Sequence, residues 1–162
     1  MKTHQMRPAF SMLTAIFVIV IMASVSIFVM SLSGKAVKET TAQYQHEQAV
    51  LYAKSYTEYA ILAVTGNNRA VNCLQTITGS IGPAPVTGDG YRVRTHIGYI
   101  GIDNAADAQG ISGCAATRKL GTVPLGSSTP LTIIVDVYVD YKDPENPAGP
   151  WFTVHRRSVQ KI

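Results

Sequence analysis

Metal or acid–base chemistry in this chain would have to come from four histidines and ten acidic residues. His4, His46, His96 and His155 are scattered, and no pair has a ligand spacing such as HxxxH. His96 and His155 alone fall in segments that the fold can bring together, and both read as strand residues with solvent-facing rings. The densest acidic stretch, Asp140, Asp143, Glu145 and Asn146, offers oxygen ligands of the kind calcium takes six to eight of. Its spacing matches no defined calcium loop, so solvated loop charges are the plainer reading. Arg92, Arg94, Arg156 and Arg157 are placed to pair with Asp136 and Asp140 across neighbouring strands. Pairs of that kind are worth about 0–1 kcal/mol when exposed. There is no P-loop, no GxSxG and no dinucleotide fingerprint. The expectation is a protein that is not an enzyme and has no cofactor.

Two cysteines, Cys73 and Cys114, stand outside any CxxC motif. They form a disulfide if the domain lies outside the cytoplasm, and are otherwise two buried thiols. A bridge over a loop of this length is worth roughly 4 kcal/mol in the chain-entropy account. The net charge is +4 with a pI near 9.1. Basic residues are spread over the sequence without a stripe, which gives no argument for nucleic acid.

The elements that must position these residues are of two kinds. Residues 8–34 carry no charge and follow the basic stub MKTHQMR. About 20 apolar residues cross the ~30 Å hydrocarbon core as a helix, and residues 10–34 would rise roughly 37 Å. The segment suits a cleaved signal, a permanent anchor, or the first half of a longer helix. The third reading is favoured, because no proline occurs from Lys35 to Val64 and an amphipathic pattern continues through Tyr44, Leu51, Tyr52, Tyr56, Tyr59 and Ala63. Gly66 suits a left-handed cap. One helix over residues 10–65 is expected, apolar to residue 34 and amphipathic over 35–65.

Beyond residue 66 the period changes to two. Tyr91, Val93, Thr95, Ile97 and Tyr99 alternate with Arg92, Arg94 and His96; Ile133, Val135, Val137, Val139 and Tyr141 alternate with Asp136, Tyr138 and Asp140. A third strand runs from Trp151 to about Gln160. Residues 66–90 and 101–130 read as loops. The fold class is α+β: the amphipathic helix half covers an antiparallel sheet of at least three strands in an exported domain over 66–162, with Tyr52, Tyr56, Tyr59 and Leu62 against the sheet.

The run Arg7-Pro8-Ala9-Phe10-Ser11-Met12-Leu13-Thr14-Ala15-Ile16-Phe17-Val18-Ile19-Val20 resembles the prepilin peptidase motif of the type IV pilin and type II secretion pseudopilin superfamily. The order of parts over the whole chain is similar to that family as well. The resemblance implies a leader over residues 1–9, cleavage between Ala9 and Phe10, and N-methylation of Phe10. It also implies a single-pass protein of the bacterial inner membrane, with its N-terminus cytoplasmic and its C-terminal domain periplasmic. Its partners would be other pilin or pseudopilin subunits, the prepilin peptidase, the inner-membrane assembly platform and membrane lipid, with no nucleic acid directly implied. Some pseudopilins hold calcium in a C-terminal loop, which lends Asp140, Asp143, Glu145 and Asn146 a weak calcium role. Ala9 replaces the usual glycine. Thr14 replaces the glutamate thought to pair with a neighbour's N-terminal amine, so the resemblance is to a minor subunit. The alternative is a membrane-anchored extracytoplasmic binding or sensory domain that never polymerises.

Overall fold

The computed structural model describes residues 9–69, 71–104, 110–124 and 131–162; residues 9–11 are described by their backbone alone. One helix, α1, runs from Ala9 to Thr65 without a break, as a sequence with no internal proline and a single glycine at residue 34 allows. The chain divides into two units, Met1–Gln43 and Tyr44–Ile162.

In the first unit every described side chain is exposed, including Leu13, Ile16, Phe17, Ile19, Phe28 and Met30. This stretch is long and apolar enough to cross a membrane. Its serines answer their own polarity: Ser24 Oγ donates to the Ile21 carbonyl and Ser26 Oγ to the Met22 carbonyl, both at 2.8 Å. A hydroxyl satisfied inside its own helix costs little in lipid, where every polar group needs an internal partner.

The second unit is α+β. Its sheet comprises β1 (Thr76–Ala84), β2 (Asp89–Ile102), β3 (Lys119–Val123), β4 (Thr132–Tyr141) and β5 (Phe152–Lys161). The order is β1-β2-β4-β5, antiparallel throughout, and β3 pairs with β2 in parallel. β4 lies along one side of β2 from Tyr91 to Ile100. β1 and β3 share the other side, opposite residues 89–96 and 99–102. β5 is an edge strand whose His155, Arg156, Arg157 and Lys161 deter further pairing.

β1 and β3 correct the reading of residues 66–90 and 101–130 as loops alone. In β1 the alternation is present in Ile77, Gly79 and Ile81, but a glycine stands where an apolar residue would announce it. A Cβ on Gly79 would lie 2.1 Å from the Tyr56 hydroxyl oxygen, so the helix tyrosine occupies the side-chain space of the strand. Gly82, Gly88 and Gly90, all at positive φ, turn β1 into β2.

The core joins Val93, Thr95, Ile97 and Tyr99 of β2 and Ile133, Val135, Val137 and Val139 of β4 to Ala49, Ala53, Thr57, Ala60 and Val64 of α1. The helix seam is therefore made of small residues. Tyr52 and Tyr56 flank it, partly buried, while Tyr59 and Leu62 are 56% and 71% exposed. Tyr59 and Leu62 therefore do not lie against the sheet as expected: at about 100° per residue they stand more than a quarter-turn round the helix from the centre of the seam of Ala49, Ala53, Thr57, Ala60 and Val64. An aromatic ladder continues from Tyr52 to Tyr91, Tyr141 and Phe152, with successive ring centroids 5.0, 5.9 and 5.5 Å apart. Burial raises the Tyr91 phenol, helped by Tyr52, to about 12.

The helix end also differs from expectation. Gly66 is not among the positive-φ glycines. The last turn closes through Gly66 N–H to the Leu62 carbonyl at 3.1 Å and Thr65 Oγ1 to the same carbonyl at 2.7 Å. Buried Arg69 folds back so that Nη1 donates to the Val64 carbonyl at 2.8 Å. A cation there suits the negative end of the helix dipole.

Candidate functional site

The sheet has two faces because side chains alternate along a strand. The odd-numbered positions of β2 and β4 are spent on the core. The even-numbered positions of β2 and β4 place Arg92, Arg94 and His96 and Asp136, Tyr138 and Asp140 on the opposite face, and the register of β5 brings its odd-numbered Thr153, His155 and Arg157 to that face. Pairing register sets these in rows: Arg92 opposite Asp140 and Thr153, Arg94 opposite Tyr138 and His155, His96 opposite Asp136 and Arg157.

Asp140 organises the first row. Its side chain is 1% exposed, and both guanidinium groups reach the same oxygen. Arg92 Nη2 lies 3.2 Å from Asp140 Oδ2 and Arg94 Nη2 lies 2.9 Å from it; the other carboxylate oxygen accepts the Thr153 hydroxyl at 2.7 Å. Each arginine remains 46% exposed, so one buried carboxylate holds two half-hydrated cations side by side. Aromatic rings support them: Arg92 lies 4.4 Å over the Trp151 ring, shared with Lys142 at 5.0 Å, and Arg94 lies 5.9 Å from the Tyr138 ring.

Asp136 organises the other end. Arg157 Nε donates to it at 2.7 Å, and His155 Nε2 lies 2.9 Å away. The Arg157 hydrogen bond lowers the Asp136 carboxyl below its ordinary 3.8, with burial opposing and His155 assisting. His155 stacks on Tyr138 at 4.5 Å, and His96 meets the same ring edge-on at 5.9 Å. The two histidines thus flank one tyrosine and do not converge. His96 Nδ1 sits 3.0 Å from Arg118 Nη2. Burial lowers the His96 pKa, and the charges of Arg118 and Arg94 lower it further.

The other sequence-derived candidates fall elsewhere. Residues 1–8 of the leader lie outside the described residues.

 Ala9 and Phe10 open α1. Cys73 and Cys114 are bonded, with Cα atoms 4.7 Å apart, tying the segment after α1 to the segment between β2 and β3. The bond marks an oxidising compartment. Asp143, Glu145 and Asn146 form a turn, in which Asp143 Oδ1 accepts the Glu145 N–H at 2.9 Å and the Asn146 N–H donates to the Asp143 carbonyl at 3.0 Å. Asp140 is committed to Arg92, Arg94 and Thr153, so the four calcium candidates are not assembled as one ligand set. Among the described residues no group of histidine, cysteine, aspartate or glutamate is placed to hold a metal ion.

Sequence reasoning placed Tyr138 in phase with Asp136 and Asp140 but gave it no role, and passed over Arg118 and Trp151 as members of this face. Arg118 and Trp151 lie beyond strand ends, and only the fold brings them in. An open cleft of about 570 Å³ at the end of α1 is lined by Asn67, Asn72, Cys73, Leu74 and Gln75, without an ionisable side chain. No protein-family model matches the chain, and no curated protein or solved structure is significantly similar to it.

Proposed function

We propose that this protein is a minor pilin or pseudopilin, a structural subunit of a type II secretion or type IV pilus-like filament assembled from the bacterial inner membrane. The observation that carries the reading is the unsatisfied apolar surface of α1. Met12–Leu32 present their large apolar side chains outward, and within the second unit Tyr44, Leu51 and Leu62 lie on the helix side away from the sheet, all more than half exposed. Lipid contents the first group until neighbouring helices replace it. The second group gains only from a protein partner, at roughly 25 cal/mol per Å² of apolar area removed from water. A subunit that leaves the bilayer by packing its helix among others uses both.

Thr14 supports a minor place. A filament register set by an intramembrane carboxylate needs an acid that this residue does not supply. Low copy number or a position at the filament end follows.

The test is the intact mass of the protein from its own host, with and without a bulky replacement of Ala9. The expected mature chain begins at Phe10 with an added methyl group, and the variant retains its leader and stays out of filaments. A wild-type chain that keeps Met1 and co-purifies with no pilus or secretion component overturns the proposal in favour of an anchored binding domain.

A further inference from the structure

The outer sheet face carries more cations than carboxylates. Arg92, Arg94, Arg118, Lys142 and Arg157 gather there against two carboxylates, Asp136 and Asp140, both already engaged. The cations are preorganised: Asp140 holds Arg92 and Arg94, His96 holds Arg118, and Trp151 and Tyr138 support the guanidinium planes. Fixing a side chain before binding removes part of its ordering cost.

Spacing narrows the ligand. Arg92, Arg94 and the His96–Arg118 pair occupy alternate positions of β2, which repeat about every 7 Å along a strand. Carboxylates at alternate positions of an extended peptide repeat at the same distance. The ring faces of Tyr138 and Trp151 are taken by His155 and by Arg92 and Lys142. They offer no free shelf for the base stacking on which single-stranded nucleic acid binding relies.

We infer that the outer face of β2, β4 and β5 docks an extended acidic segment of another protein, with aspartate or glutamate at alternate positions lying along Arg92, Arg94 and Arg118. The inference is independent of how α1 is used. His96 adds a reporter, because its proton affinity is lowered by burial and then by Arg118 and Arg94. An anion that neutralises those charges raises it.

The experiment uses the full chain in nonionic micelles and a fluorescent peptide of alternating glutamate and threonine. Anisotropy should show binding that weakens as salt is raised. Arg118→Gln, which leaves both carboxylates with their partners, and Arg94→Lys, which keeps the charge on Asp140, should each weaken binding roughly threefold to tenfold. Near-ultraviolet circular dichroism confirms that both variants keep the native fold. The His96 ring resonance should titrate at higher pH with the peptide bound. Equal binding of a lysine–threonine peptide, unchanged affinity in both folded variants, or no binding by wild type overturns the inference. Tighter capture of an oligo-dT strand overturns it also and assigns the face to nucleic acid.

Discussion

Replacing Asp140 with alanine tests the electrostatic centre of the sheet face. The substitution deletes the acceptor of the Thr153 hydroxyl hydrogen bond and of two ion pairs, from Arg92 and Arg94. A hydrogen bond to a charged acceptor is worth about 1.5 kcal/mol. The pairs must be discounted, because each guanidinium is 46% exposed and regains water when the carboxylate leaves; about 0.5 kcal/mol apiece is appropriate to such pairs. The expected loss is roughly 2.5 kcal/mol, short of the roughly 3–5 kcal/mol that follows from stranding a fully buried charge. For a unit of this size it lowers the unfolding midpoint by about 10 °C. Near-ultraviolet circular dichroism of the full chain in micelles measures the midpoint. Trp151, the single tryptophan, reports locally, since Arg92 rests on its ring. An unchanged midpoint would mean that the carboxylate does not hold the arginines. A loss above about 4 kcal/mol would mean that they are effectively buried, and the discount would be wrong.

Other outcomes follow from single residues. The Thr95 hydroxyl is buried without a hydrogen-bond partner, so Thr95→Val should stabilise the domain by about 1 kcal/mol in thermal unfolding. Replacing Cys73 and Cys114 with serine should cost about 4 kcal/mol by the loop they close, read as a lower denaturation midpoint under non-reducing conditions. Asp136 has a depressed folded pKa; its contribution is therefore present above the ordinary carboxyl value of 3.8 and is lost as pH falls through the lower folded value. Asp136→Asn should flatten the acid limb of a stability–pH curve below about pH 4, and an unaltered limb would refute that assignment. Tyr56→Ala should destabilise by about 3 kcal/mol, as truncating a large aromatic in a core does, whereas Tyr59→Ala, at an exposed position, should change stability by less than about 0.5 kcal/mol.

Much of this protein is local in origin. The uncharged run through residue 34, the absence of proline up to Val64, and the period-two alternation of β2 and β4 each depend on neighbours in sequence. They therefore determined the long helix, the apolar span and the two central strands without reference to the rest of the fold. What they left undecided depends on partners far apart in the chain. β1 escaped notice because Gly79 is explained only by the Tyr56 side chain across the core. β3 is short and pairs in parallel with β2, a partner no local pattern can name. The helix seam runs over alanines and Thr57 rather than Tyr59 and Leu62, because the side facing the sheet is chosen by how closely two surfaces can approach. The arginines and aspartates of the outer face were readable as strand residues. That Asp140 would bind both Arg92 and Arg94 was decided by the register of β2 against β4.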